Sequence, residues 1–225
     1  MRRVMERYRF LEKHSRVLVA VSGGIDSVVL LALLNEYNDR YTMEWYVHAC
    51  HIDHGFPETK IDIIKKALKE IGAPYTIINS SIYKKLVHTK NPCFACARER
   101  RKKLLETAQK MNIFNIALAH HKQDAAETLV LNMIYNGEFS TLTPKQSVIQ
   151  GRFYFIRPLY YLEKKTIRSI AQIYKLSVYR NNCAFFKDSK REEVRRFLET
   201  IRKDNPDVYK NIFRSLSHVR RAYMP

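Results

Sequence analysis

The sequence predicts an α/β protein: a parallel twisted sheet with helices on both faces, continued by a small basic helical C-terminal extension. Two observations carry that class. Short β-branched-rich runs alternate with longer apolar-periodic segments, beginning with Val17-Leu18-Val19-Ala20-Val21 and the run from Val28 to Leu34. Between those first two lies Ser22-Gly23-Gly24-Ile25-Asp26-Ser27, whose glycines allow a sharp strand-to-helix turn. The 225 residues suffice for one core plus an appendage, divided here into a core over 1–160 and an extension over 161–225.

Taken in order, residues 1–16 are basic and aromatic, with Val4, Tyr8 and Leu11 at helical spacing. Strand one spans residues 17–21 and helix one 26–37. Strand two is Trp45 to Cys50, ending in the polar loop His51-Ile52-Asp53-His54-Gly55 before a helix over 58–71. Gly72-Ala73-Pro74 stops that helix, and Tyr75-Thr76-Ile77-Ile78 reads as strand three. Cys93 and Cys96 open a helix that runs to Met111, and residues 112–119 lead through strand four. Its end, His120-His121-Lys122-Gln123-Asp124, opens another helix. Residues 136–155 are weakly patterned, with Thr143-Pro144-Lys145 as loop. A short strand at Phe153–Ile156 stops at Arg157-Pro158. Helices follow over 163–175 and from Ser189 onward.

Composition narrows the function. A hydrophobic content of 46% with 28% charged residues is that of a globular chain, and the longest apolar run, seven residues, cannot span a membrane. No apolar segment follows the basic N-terminus as in a signal peptide, so the expected location is the cytoplasm. Forty Lys+Arg against 22 Asp+Glu give +18, which points to a polyanionic partner. Solubility is the plain alternative. Runs such as Arg98 to Lys103, and Lys187, Lys190, Arg191, Arg195 and Arg196, favour nucleic acid, with Arg98, Arg101, Lys102, Lys187 and Arg191 as the phosphate contacts. Tyr160, Tyr161, Tyr179, Phe185 and Phe186 are candidates to stack on unpaired bases.

Three constellations carry chemistry. The Ser22–Ser27 turn starts a helix, where free N–H groups and the dipole attract an anion. Walker and dinucleotide patterns are absent, and S-G-G-x-D-S after strand one is the pyrophosphate-loop signature. Asp124 lies at the mouth of strand four, able to bind Mg²⁺ or act as a base, with His120 or His121 to contact phosphate. Cys93-x-x-Cys96, with Cys183 as third thiol, suits zinc or a [4Fe–4S] cluster, and spacing does not choose between them. Cys50, in an apolar strand, reads as a small buried hydrophobe.

Ser22–Ser27, Cys93-x-x-Cys96 with Arg100-Arg101, Ala119-His120-His121-x-x-Asp124-x-x-Glu127-Thr128-Leu129, Leu131-Asn132-Met133 and Arg157-Pro158-Leu159 together resemble the cluster-dependent tRNA thiolases, nearest to the 2-thiocytidine synthetases. The resemblance implies the pyrophosphatase (PP-loop, adenine nucleotide alpha hydrolase-like) fold and adenylation of a base carbonyl with ATP and Mg²⁺, followed by replacement of the oxygen with sulfur. It implies cluster ligands Cys93, Cys96 and Cys183, Mg²⁺ positioned by Asp26 and Asp124, and charge stabilisation by Arg100. It places ATP at Ala20, Val21, Ser22, Gly23, Gly24, Asp26, Ser27, Cys50, His51, Ala119 and Asp124. Expected partners are tRNA, a sulfur donor (a cysteine desulfurase or sulfide) and a second copy of the chain, since family members are often dimers. Ile25 departs from the Lys usual in the cytidine members, and Cys183 stands without their second C-x-x-C partner. Runners-up are thiolation of another tRNA pyrimidine to a 2-thiouridine, a zinc-containing PP-loop ligase or amidase, and an RNA-binding module with a structural metal.

Overall fold

The first expected strand forms as β1 (Arg16–Ala20), and the rest of the sheet is built outward from it. A computed structural model describes residues 1–56, 59–87, 89–179, 183, 185 and 189–223. On one side of β1 lie β2 (Tyr46–Asp53) and then β3 (Tyr75–Asn79). On the other lie β4 (Asn115–Ala117), β6 (Phe153–Ile156) and β5 (Lys145–Val148). The first five pair in parallel and β5 antiparallel to β6.

The helices are α1 (Arg2–Tyr8), α2 (Ile25–Arg40), α3 (Ile61–Ile71), α4 (Ile82–Leu86), α5 (Pro92–Lys110), α6 (Lys122–Asn136), α7 (Lys164–Ile173), α8 (Lys190–Asp204) and α9 (Val208–Ser215). Period-two alternation divides the core. Val17 and Val19 of β1 pack with α2, α3 and α7, whereas Leu18 joins α4 and α5 on the opposite face. Both faces are covered, as a parallel sheet requires.

α7 buries Ile167 and Ala171 in the same core cluster as α2. α8 and α9 bury Val194, Leu198, Val208 and Tyr209 with Ala126 of α6, a separate apolar cluster. No helix among the described residues is long and apolar enough to cross a membrane.

Two segments differ from the sequence reading. The N-terminal helix stops early: Arg9 turns left-handed at φ 43°, and Phe10 and Leu11 then enter the core as coil. β5 forms where loop was expected. It is an edge strand with Gln146 and Ser147 exposed, so no apolar alternation marks it.

Candidate active site

The strand order reverses between β1 and β4, so the loops leaving their carboxyl ends part and open a crevice, the usual ligand position in such sheets. The two motifs found in the sequence leave these two strands. Gly24 caps α2 in extended conformation. Gly23 has φ +84°, and a Cβ there would meet Ile64 Cγ1 at 2.7 Å. Ser27 Oγ donates to the Gly24 carbonyl at 2.8 Å and accepts from Ser22 N–H at 3.1 Å, which cross-ties the loop. The N–H groups of Gly23, Ile25 and Asp26 have no partner among the described residues. They form an anion cradle at a helix N-terminus. Ile25 itself packs against the core.

Opposite the cradle, His121 stands between two carboxylates. Its Nε2 lies 3.8 Å from Asp26 Oδ1 and its Nδ1 3.5 Å from Asp124 Oδ2. Asp26 Oδ1 is buried without a hydrogen bond among the described residues, an orphaned acceptor suited to a hard cation. Burial alone would raise the Asp124 carboxyl, but Arg191, His121, His120 and the His121 N–H together hold it below its ordinary value. The N–H bond from His121 to Asp124 is 2.8 Å.

Within β2, Cys50 accepts at its carbonyl from Val21 N–H at 2.9 Å. Its thiol packs into the apolar cluster beneath α5, and burial pushes it up to about 11. The thiol is thus the small buried hydrophobe that its apolar strand implied. His51 donates from Nδ1 to the Val21 carbonyl at 2.8 Å, leaving Nε2 a buried, unpartnered acceptor beside the loop. Ala20, which ends β1, and Ala119, just beyond β4, are half-buried, and Val21 is buried.

All four cysteines are free thiols. Burial raises the thiols of Cys93 and Cys96, and both feel the charge of Cys183. Cys93 Sγ also contacts the Phe185 carbonyl at 3.4 Å, which ties the Cys183 segment to the start of α5. Among the described residues no three metal-ligating side chains are drawn to coordination distance. The donor set still suits a soft metal or cluster: three free thiols at one mouth, with the charge of Cys183 felt by the other two.

Arg100 lies one turn along α5 from Cys96. Desolvation lowers its pKa, against the pull of Cys96, and its charge acts on both His54 and His120. No hydrogen bond or ion pair holds it among the described residues. It is a largely desolvated cation between the cysteines and the nucleotide crevice.

The basic residues split. Arg98, Arg101 and Lys102 are exposed on α5, free of ion pairs among the described residues. Arg191, expected to face RNA, instead donates from Nη2 to Asp124 Oδ1 at 2.6 Å and from Nε to Glu127 Oε2 at 3.3 Å. Helix periodicity turns it inward, where two buried carboxylates demand compensation. Lys187 and Phe186 lie outside the described residues. Tyr160 and Tyr161, candidates for base stacking, pack instead on Phe213 with ring centroids 5.3 and 5.5 Å away.

Three residues that the sequence reading named without assigning them a role belong to the site. Glu127, 3% exposed, binds Arg191 and Arg195; an acid one turn from Asp124 was the available signal. His54 keeps a buried unpartnered Nε2, and burial with the nearby Arg100 drops it to about 4. Arg157, read as a strand stop and as part of the Arg157-Pro158-Leu159 motif without a role of its own, is 1% exposed.

Comparison with known proteins agrees with this geometry. The PP-loop domain model matches residues 1–201. A tRNA-cytidine(32) 2-sulfurtransferase of Geotalea uraniireducens is 31% identical over 99% of this chain and 90% of its own length. Its counterpart in Cupriavidus necator is 32% identical over 96% of this chain and 71% of that protein. The solved structure of the U34-tRNA thiolase NcsA from Methanococcus maripaludis, with its [4Fe–4S] cluster, superposes with a TM-score of 0.77. It is 24% identical, covering 96% of this chain and 76% of that one, a likeness of fold.

Proposed function

Because the chain belongs to the PP-loop family and, within it, to the tRNA-cytidine(32) 2-sulfurtransferases, we propose that it uses ATP to exchange the C2 oxygen of cytidine 32 in tRNA for sulfur. The observation that carries this reading is the convergence on one sheet edge of an anion cradle, a carboxylate pair and three thiols, with Arg100 between them.

A pyrimidine carbonyl is a poor electrophile, and its oxygen a poor leaving group. Attack of that oxygen on the α-phosphorus of ATP releases pyrophosphate and converts the oxygen into part of an AMP leaving group. A sulfur nucleophile then adds at C2 and AMP departs with the original oxygen. The N–H groups of Gly23, Ile25 and Asp26 hold the phosphates, with the Ser22 and Ser27 hydroxyls shaping the loop. Asp26 and Asp124 are the residues that would hold Mg²⁺. Arg100 stabilises negative charge developing on the activated base.

Cys93, Cys96 and Cys183 would hold a [4Fe–4S] cluster, which supplies an open iron site for the sulfur atom. The exposed Arg98, Arg101 and Lys102 contact the tRNA backbone. Sulfur arrives from a cysteine desulfurase or as sulfide, the enzyme works in the cytoplasm, and it functions as a dimer. Mass spectrometry of tRNA nucleosides from a deletion strain tests the reading: 2-thiocytidine disappears and returns with the wild-type gene. Unchanged 2-thiocytidine, with loss of another thionucleoside, would assign a different target.

A further inference from the structure

The β5–β6 edge has a consequence for the nucleotide crevice. Arg157 follows β6 and is 1% exposed, yet no carboxylate pairs with it among the described residues. Its guanidinium is held by neutral acceptors. Nη1 donates to the Thr143 carbonyl at 2.6 Å, just before β5, and Nη2 to Gln146 Oε1 of β5 at 3.0 Å. Nε donates to Nδ1 of His120 at 3.2 Å. A buried guanidinium is costly, and simple packing would be met more cheaply by an apolar side chain. The bond to His120 is where its charge has a chemical effect.

An arginine only donates, so Nδ1 of His120 must accept and cannot carry a proton. The single ring proton is therefore on Nε2, and the ring's hydrogen bond among the described residues is the one at Nδ1. The charged groups around the ring are Asp124 on α6, Arg191 on α8, Arg100 on α5 and Arg157 itself.

We propose that Arg157 is a positioning residue that locks His120 as its neutral Nε2–H tautomer, so that His120 presents a fixed donor to a phosphoryl oxygen of the bound nucleotide. The lock rests on the reading of the crevice as an ATP site. A neutral donor holds an anionic oxygen without adding a proton that could be lost to it, and its direction is set before substrate arrives. Burial, together with three arginines, also drops the His120 pKa to about 3, so the ring stays neutral across the working range.

The test is a long-range ¹H–¹⁵N spectrum of the full chain labelled at histidine, with His120 assigned from a His120→Gln variant. The expected wild-type signal is a single Nε2–H tautomer that does not titrate between about pH 5 and 8. An Nδ1–H tautomer or an imidazolium in that range overturns the proposal. Arg157→Met should mix the two tautomers and lower kcat roughly 10–100-fold with little change in KM for tRNA, and Arg157→Lys, which keeps a donor, should recover part of both. An unchanged tautomer in a folded Arg157→Met also overturns it. If that variant does not fold, the wild-type spectrum alone decides. The spectrum needs neither ATP nor tRNA, so a lock without adenylation would refute the functional reading and leave the lock standing.

Discussion

Arg191 on α8 donates from Nη2 to Oδ1 of Asp124 on α6 at 2.6 Å, so a residue from the C-terminal helices occupies one carboxylate of the nucleotide crevice. The same guanidinium reaches Glu127, which Arg195 also binds at 3.0 Å. α8 begins seven residues beyond Cys183, so the helix that neutralises Asp124 follows the cysteine closely in sequence. Asp124 can take up a divalent cation only if Arg191 shares or releases it.

Arg191→Ala therefore has two expected effects. Asp124 loses its cation and the fold loses about 1–3 kcal/mol, less than for a fully buried pair because Arg191 is partly exposed. Mg²⁺ without nucleotide then stabilises the variant more than the wild type. Thermal melts with and without Mg²⁺ measure both, and an equal Mg²⁺ response in the two proteins would deny the competition.

Gly23 and Gly24 should differ sharply on substitution. At Gly23 a Cβ meets Ile64 at 2.7 Å and Tyr179 Cβ at 3.3 Å, at φ +84°. Ile64 is fully buried and cannot retreat. Gly23→Ala should cost about 1–3 kcal/mol and weaken ATP binding at least tenfold. At Gly24 the backbone is ordinary and the nearest atom is Ser22 Oγ at 3.4 Å, so Gly24→Ala should retain the wild-type melting temperature. Isothermal titration with ATP and thermal melts compare the two.

The parallel core was legible because β1, β2 and β6 are short apolar runs and α2 is long and apolar, a pattern set by burial. The crevice was legible because Ser22–Ser27 and His120–Asp124 leave adjacent strands, and sheet topology then forces them together. What sequence periodicity could not show was the pairing of charges. Arg191 sits in a run of basic residues that reads as a phosphate-contacting face, and only the docking of α8 on α6 reveals Glu127 and Asp124 beneath it. Arg157 was visible as part of a motif, but its role was not, for the same reason: one of its partners comes from an edge strand with no apolar signature.

Cysteine reactivity should separate one thiol from three. Cys50 is 1% exposed with its thiol pushed up to about 11, whereas Cys93 is exposed and Cys96 and Cys183 are half-buried. Brief iodoacetamide treatment of metal-free protein should modify Cys93, Cys96 and Cys183 and spare Cys50, since the thiolate is the reacting form. Peptide mass spectrometry reads the sites. Protein purified anaerobically should be brown, with the colour lost in Cys183→Ala and kept in Cys50→Ala. A colourless zinc protein would defeat the cluster assignment.

Acid should weaken the fold through His54 and His120. Their folded values, about 4 and about 3, lie below the ordinary 6.5, so the unfolded chain binds protons first as the pH falls. Stability is complete above that ordinary value and declines from there toward the folded values, with a slope approaching about 1.4 kcal/mol per pH unit for each ring. Asp124, held low, adds its own loss only below the carboxylate range. Urea denaturation at a series of pH values should show the decline, and His54→Gln should flatten it. The same slope in that variant would remove His54 from the account.

Arg100 allows stability and activity to be set against each other. Its guanidinium is desolvated, and no carboxylate pairs with it among the described residues. Ordinary core chemistry would not retain such a group, because an apolar side chain of similar volume avoids the desolvation cost. Arg100→Met should therefore leave the unfolding free energy unchanged or higher. The same substitution should reduce tRNA-dependent AMP release by roughly 10²–10³-fold, the usual effect of removing one charge-stabilising donor. Arg100→Lys should fall between, since it keeps the charge but loses the planar fork. Denaturation curves and AMP release measured on the same preparations decide the matter. A variant that is destabilised yet fully active would mark Arg100 as a structural cation and would leave the charge on the activated base to another residue.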